Sequence, residues 1–202
     1  MKKFFVNIDG PDGSGKTGLS KKLYDRLKGL GYQTTLTAEP GGTNVGKKIK
    51  KLILQNEMSQ LAETLLFFAD RAEHFEKVIK DTDGIIICDR FVDSTKVYQH
   101  KIGGVDWSII SQLMEWTTNY FVPDINFTIV SDKPHGKKEN DKYDQAGLEF
   151  RNKVMEEYLE IANERINHLT EYSEQDTFII NTTPEDWDEC VDYMIEKIIR
   201  LL

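Results

Sequence analysis

The chain predicts an α/β fold in three layers, with a five-stranded parallel sheet between two layers of helices. Three observations carry that expectation. Short apolar runs flanked by turn residues alternate with longer segments of helical periodicity. The first run, Phe4-Phe5-Val6-Asn7-Ile8, leads within two residues into the string Gly10-Pro11-Asp12-Gly13-Ser14-Gly15-Lys16-Thr17. At 202 residues, 39% of them hydrophobic, the chain can bury one sizeable core, and residues 1–202 read as a single domain.

The elements follow in order. Strands are expected at 3–8, 33–38, 84–88, 125–130 and 177–181, and helices at about 16–30, 43–54, 58–81, 94–101, 106–119, 147–171 and 184–201. In the helix from Met58, the residues Leu61, Leu65, Phe68, Ala72, Phe75 and Ile79 recur at spacings of four and three, which predicts one core-facing stripe. Between the fourth strand and the sixth helix, Ser131 to Gly147 has no apolar periodicity. A polar segment that long inside a compact domain reads as a lid, at about 132–147, or as a disordered loop.

The glycine string is a complete phosphate loop, because it joins a strand to a helix and turns its N–H groups towards a bound anion at the helix's positive end. In it Lys16 is expected to reach the outer phosphates of a nucleoside triphosphate, and the Thr17 hydroxyl to ligate Mg²⁺; Gly18 continues the loop into the helix. The run Ile85-Ile86-Ile87-Cys88 ends in Asp89-Arg90, where a carboxylate can hold Mg²⁺ and a guanidinium can grip a phosphate bidentately. Both strand ends belong at one crevice, since ligands gather at the carboxyl edge of such sheets. Glu39-Pro40-Gly41-Gly42-Thr43 reads either as a turn with a Thr43 cap or as a ligand loop. Phe67 and Arg71, one turn apart and off the stripe, read on spacing alone first as a packing contact and a surface ion pair with Asp70 or Glu73, and second as a ring and guanidinium suited to a stacked nucleobase. Ser94 with Tyr98, and Thr95 with Gln99, form a polar wall in the helix begun by Asp93. Lys137, Lys138 and Lys142 read either as a solvated charge run or as the local positive charge that a transferring phosphoryl group needs.

The net charge of −8, from 34 acidic against 26 basic residues, speaks against general affinity for nucleic acid. No apolar stretch is long enough to span a bilayer, and Asp9 interrupts the first apolar run too early for a secretory signal. Cys88 and Cys190 fit no metal or redox spacing, so buried thiols in a cytoplasmic protein are expected.

These pieces together resemble the thymidylate kinases of bacterial and phage type, which are phosphate-loop enzymes of the nucleoside monophosphate kinase class. The resemblance runs over nearly the whole chain, through Asp9 to Thr17, Glu39 to Thr43, Glu63 to Ala72, Cys88 to Phe91, Asp93 to Thr95, Tyr98-Gln99, Pro123-Asp124, Phe150 and Tyr158-Leu159. It implies transfer of the γ-phosphoryl group of ATP to dTMP, with Mg²⁺, in a homodimer. By position, Phe67 stacks on thymine, Arg71 reads its carbonyl edge, and Thr95 and Gln99 face the base. Tyr98 crowds the ribose 2′ position, Arg90 binds the acceptor phosphate, and Asp12 organises that phosphate and the metal shell with Asp9 and Asp89 nearby. Donor and acceptor bring roughly −5 to −6 charges into one cleft, which Mg²⁺, Lys16, Arg90 and the lid lysines must offset.

Three departures from the family pattern stand out. Ala38 replaces a basic residue before Glu39, the lid carries lysines instead of arginines, and Asp9 takes the place of the commoner Glu. Arg151 is the reserve candidate for a catalytic cation. Two alternatives remain at this level, a phosphate-loop kinase for another nucleotide or nucleoside, and a non-catalytic nucleotide sensor. A GTPase is disfavoured, because Asn152-Lys153-Val154 is followed by Met155 and not by the base-reading Asp.

Overall fold

In a computed structural model, residues 2–131, 143, 146–167 and 176–202 are described. Five parallel strands, β1 (Phe4–Asp9), β2 (Thr34–Ala38), β3 (Ile85–Asp89), β4 (Ile125–Val130) and β5 (Asp176–Asn181), pair in the order β2-β3-β1-β4-β5. The helices are α1 (Lys16–Gly29), α2 (Asn44–Gln55), α3 (Gln60–His74), α4 (Val92–Thr95), α5 (Trp107–Thr118), α6 (Gly147–Ile166) and α7 (Trp187–Leu201). Both α3 and α4 run on as π-helical turns, over Phe75–Ile79 and Lys96–Ile102. The strand and helix expectations therefore hold to within a few residues, apart from 168–171, which lie outside the described residues.

Alternation along β1 builds the layers. Phe4, Val6 and Ile8 face Leu19, Leu23 and Leu27 of α1 and Val191, Met194 and Ile198 of α7. Phe5 faces the other way, into Phe68 of α3, Phe91, and Ile110 and Met114 of α5. A third, smaller core joins Val97 to Val154, Tyr158 and Ile161 of α6.

One expectation is corrected. The stripe along α3 holds for Phe68 and Ile79, which are buried, but Leu61 and Leu65 are each 47% exposed. The first turns of α3 bury Glu63 and Thr64 instead. The Glu63 carboxylate accepts from Gln99 Nε2 at 3.3 Å and from Tyr143 Oη at 2.5 Å, so a polar contact has turned the apolar edge outward.

Register places the site. Ile8 pairs with Asp89, and Ala38 pairs with the same residue from the other side. The next residues, Asp9, Arg90 and Glu39, therefore leave three adjacent strands at one edge.

Candidate active site

The phosphate loop is held from both ends. Gly10 has φ +146°, and a Cβ there would lie 2.1 Å from the Ile129 carbonyl oxygen, so no side chain fits. The N-cap of α1, Gly15, offers no side-chain cap, which leaves the first N–H groups of the helix directed at the loop's concavity. The Ser14 hydroxyl is buried beneath it without a hydrogen-bond partner among the described residues. Lys16 is buried and its Nζ donates to the Pro11 carbonyl at 2.6 Å. Burial, with Arg90 nearby, pulls its pKa down to about 8.

The Thr17 hydroxyl donates to Asp89 Oδ2 at 2.6 Å. This hydroxyl and carboxylate are hard oxygen donors, and Mg²⁺ is commonly bound by one or two protein oxygens plus substrate phosphates and water. The pair therefore fits Mg²⁺. No cluster of three or more acidic, His or Cys side chains exists among the described residues that would form a metal cage by itself.

Arg90, at φ +75°, is the centre of the second half of the site. Its Nη1 donates to the Gly10 carbonyl at 3.1 Å, Ser94 Oγ at 2.9 Å and Tyr158 Oη at 3.0 Å. Its Nη2 donates to Asp12, and its guanidinium lies 5.7 Å from the centre of the Tyr98 ring. Asp9 lies beneath this group, buried, accepting from Ser94 Oγ at 2.7 Å, Tyr158 Oη at 2.8 Å and the Phe91 N–H at 3.0 Å. Asp12 stands at the rim, where burial opposes its charge but Arg90 and Lys16 override it and lower its pKa to about 2. Tyr98 donates to Asp12 Oδ2 at 3.2 Å, and burial pushes its phenol above the usual range. Sequence reasoning assigned no role to Tyr158, whose hydroxyl here joins Arg90 to Asp9.

Arg71 is not on the surface. It is 3% exposed, with Nε donating to Glu39 Oε2 at 2.7 Å, Nη1 to Thr95 Oγ1 at 3.0 Å and Nη2 to the Phe91 carbonyl at 3.1 Å. The rings of Phe68 and Phe91 each lie 5.1 Å from its guanidinium carbon. The expected surface pair with Asp70 or Glu73 is replaced by a buried one with Glu39. Thr95 and Gln99 are also buried, Phe67 is half-buried, and Pro40 adjoins Glu39 in a cis peptide. Thr43 caps α2, accepting from the Gly46 N–H at 2.9 Å. Asp93, expected to open its helix, instead pairs with Arg165, whose Nη1 donates to it at 2.6 Å. A cavity of about 370 Å³ opens beside Tyr98, Glu63, Tyr143 and Phe150. Lys137, Lys138 and Lys142, with most of the 132–147 segment, lie outside the described residues. Arg151 is described, and its Nη2 donates to the Ser131 carbonyl at 3.5 Å.

Comparison with known proteins gives one answer. The family profile Thymidylate kinase matches residues 8–185. A thymidylate kinase of Halothermothrix orenii is 34% identical, with 82% of this chain and 86% of the relative covered. One from Wolbachia pipientis wMel is 39% identical over 78% of this chain and 84% of its own. The crystal structure of thymidylate kinase from Ehrlichia chaffeensis superposes with a TM-score of 0.75 at 31% identity, covering 96% of this chain and 99% of that one. With a phosphate loop, a Thr17–Asp89 oxygen pair and a buttressed Arg90 at one sheet edge, and with relatives matched over most of their length, this chain belongs to the thymidylate kinase family.

Proposed function

We propose that the protein transfers the γ-phosphoryl group of ATP to dTMP, giving dTDP and ADP for deoxynucleotide synthesis. The supporting observation is the pairing of Ile8 with Asp89, which sets the phosphate loop beside Arg90 and so puts two anion-binding groups on either side of Asp12. Residues Gly10 to Gly18 cradle the donor phosphates, with Lys16 turning from the Pro11 carbonyl to the transferring group. Arg90 holds the acceptor phosphate, kept in orientation by Asp9, Ser94 and Tyr158. Phe67, Arg71, Thr95 and Gln99 take the base, Glu39 and Pro40 support that pocket, and Tyr98 screens for the deoxy sugar.

Thr17 and Asp89 would hold Mg²⁺, which when bound offsets phosphate charge. The attacking group is an acceptor phosphate oxygen, largely ionised at neutral pH given a second phosphate pKa of about 6, so no side chain need act as base. We assign Lys137, Lys138 and Lys142, which lie outside the described residues, as the cations that offset the transferring phosphoryl group.

Leu61 and Leu65 on α3, and Val45 and Leu52 on α2, are exposed apolar residues on two helices that pack together, and we assign a homodimer, the state that the family resemblance implies, with these residues as candidates for its contact. The charge of −8 disfavours general affinity for nucleic acid, no helix among the described residues is long and apolar enough to cross a membrane, and we assign a cytoplasmic enzyme acting on small molecules. A coupled assay of ADP release tests the reading. Release should rise with dTMP and much less with dUMP, dCMP or thymidine; equal rates with and without dTMP would refute it.

A further inference from the structure

Behind the base pocket lies a histidine to which neither the sequence nor the proposed function gives a role. His74, at the end of α3, is fully buried. Its Nδ1 lies 2.7 Å from Glu39 Oε1 and its Nε2 lies 2.6 Å from Thr37 Oγ1. An edge of the ring also packs closely on the loop after β2, since a Cβ at Gly42 would lie 2.4 Å from its Cδ2 and 2.6 Å from its Nε2. The far oxygen of Glu39 accepts from Arg71 Nε. A continuous chain therefore runs Thr37, His74, Glu39, Arg71, Thr95 across the end of β2 and two helices, α3 and α4.

We propose that His74 is a positioning residue for recognition of the acceptor base: it fixes the Glu39 carboxylate, which in turn fixes Arg71. The inference rests on the assignment of Arg71 to the base pocket made above. Three of the five guanidinium N–H groups are used by Glu39, Thr95 and Phe91, which leaves one on each terminal nitrogen for a base carbonyl. The direction of those two is set by the three that are bound. A glutamate has three rotatable bonds, and a buried carboxylate with one oxygen unpaired turns to find a donor. His74 removes that freedom by holding the second oxygen. An ionised carboxylate only accepts, so the Nδ1 facing Glu39 carries a proton, and Nε2 shares a hydrogen bond with the Thr37 hydroxyl.

Side-chain geometry separates this role from space filling. An asparagine amide nitrogen falls near the position of Nδ1, whereas a glutamine amide nitrogen falls near Nε2. Positioning predicts that His74→Asn keeps the Michaelis constant for dTMP within about threefold. His74→Gln, though closer in volume to His, should raise it about tenfold or more, with that for ATP within about twofold. In ¹H–¹⁵N spectra, protection of the Arg71 Nε–H from exchange should survive in the Asn variant and be lost in the Gln variant. Parallel rises for both substrates, or equal behaviour of Asn and Gln, would overturn the proposal. If His74→Gln does not fold, Thr37→Val decides, with a raised constant for dTMP supporting the role and an unchanged one rejecting it. A wild-type enzyme inactive on dTMP would remove the underlying function and this role with it, whereas an active one with indifferent variants removes only the role of His74.

Discussion

The indole of Trp187, at the start of α7, occupies the space into which a side chain at Gly18 would project: a Cβ at Gly18 would lie 2.3 Å from both Cη2 and Cζ3 of the ring. The same ring reaches within 3.0 Å of a Cβ built on Gly15. The end of the chain thus braces the phosphate-loop helix near the beginning. In an open helix, Gly→Ala stabilises by roughly 1 kcal/mol. Here the sign reverses. Gly18→Ala should cost about 1–3 kcal/mol through overpacking and should raise the Michaelis constant for ATP. Adding Trp187→Ala should recover part of the loss, and urea unfolding of the four proteins in the cycle measures the coupling. Additive effects would mean that the contact is slack.

Asp70 predicts a pH dependence of stability. It is buried beside Glu39, and burial first, then that neighbouring charge, raises its pKa to about 6, although the Gly41 N–H at 3.0 Å works in the opposite direction. In the unfolded chain it titrates near about 3.9. A carboxyl whose folded value is raised favours the fold when protonated, so its contribution is present below about pH 4 and is lost as pH rises through about 6. Asp70→Asn keeps an acceptor for Gly41 and removes the charge. The variant should be more stable than the wild type by about 2 kcal/mol at pH 8 and by little at pH 4. A difference independent of pH would show that Asp70 is not the source.

The unequal legibility of the site has a physical cause. Gly10 to Thr17 and the Asp89-Arg90 strand end could be read because a strand, a turn and a helix start are local grammar. The neighbourhood of the two then follows from parallel pairing alone. Tyr158 and Asp9 are separated by 149 residues, and only tertiary packing shows that one hydroxyl buttresses the arginine. His74 sits in a helical pattern as an ordinary residue until β2 is laid against it. For Leu61 and Leu65 the periodicity groups them with Phe68 and Ile79, which are buried, but it cannot say where along the helix the cover of the core ends. That was decided by Glu63 bonding Gln99 and Tyr143.

Phe67 tests the base pocket. Its ring is half-buried, whereas Phe68 beside it belongs to the core. Base–aromatic stacking is worth about 1–3 kcal/mol. Phe67→Ala should therefore raise the Michaelis constant for dTMP about tenfold or more with little change for ATP, read by steady-state kinetics. Phe68→Ala should instead lose about 3–5 kcal/mol of stability. Equal effects of Phe67→Ala on both substrates would remove it from the acceptor pocket.

Tyr158→Phe isolates the support of Arg90. The ring is 1% exposed and packs with Val97, Val154 and Ile161, contacts that phenylalanine keeps. What is lost is the hydroxyl, which donates to Asp9 at 2.8 Å and accepts from Arg90 at 3.0 Å. Arg90 then retains Ser94, Asp12 and the Gly10 carbonyl, enough to stay in place but with one fewer constraint on where its Nη1 points. Hydrogen bonds to charged groups are worth about 1.5–3 kcal/mol, and misalignment of the acceptor phosphate falls on the transfer step. The variant should lose about tenfold in kcat/KM for dTMP, mostly in kcat, while the Michaelis constant for ATP stays within about twofold and the melting temperature changes little. A variant with wild-type kcat would show that the hydroxyl serves the fold alone, and a collapse in melting temperature would show that the Asp9, Ser94 and Tyr158 cluster is needed to fold before it is needed to hold Arg90.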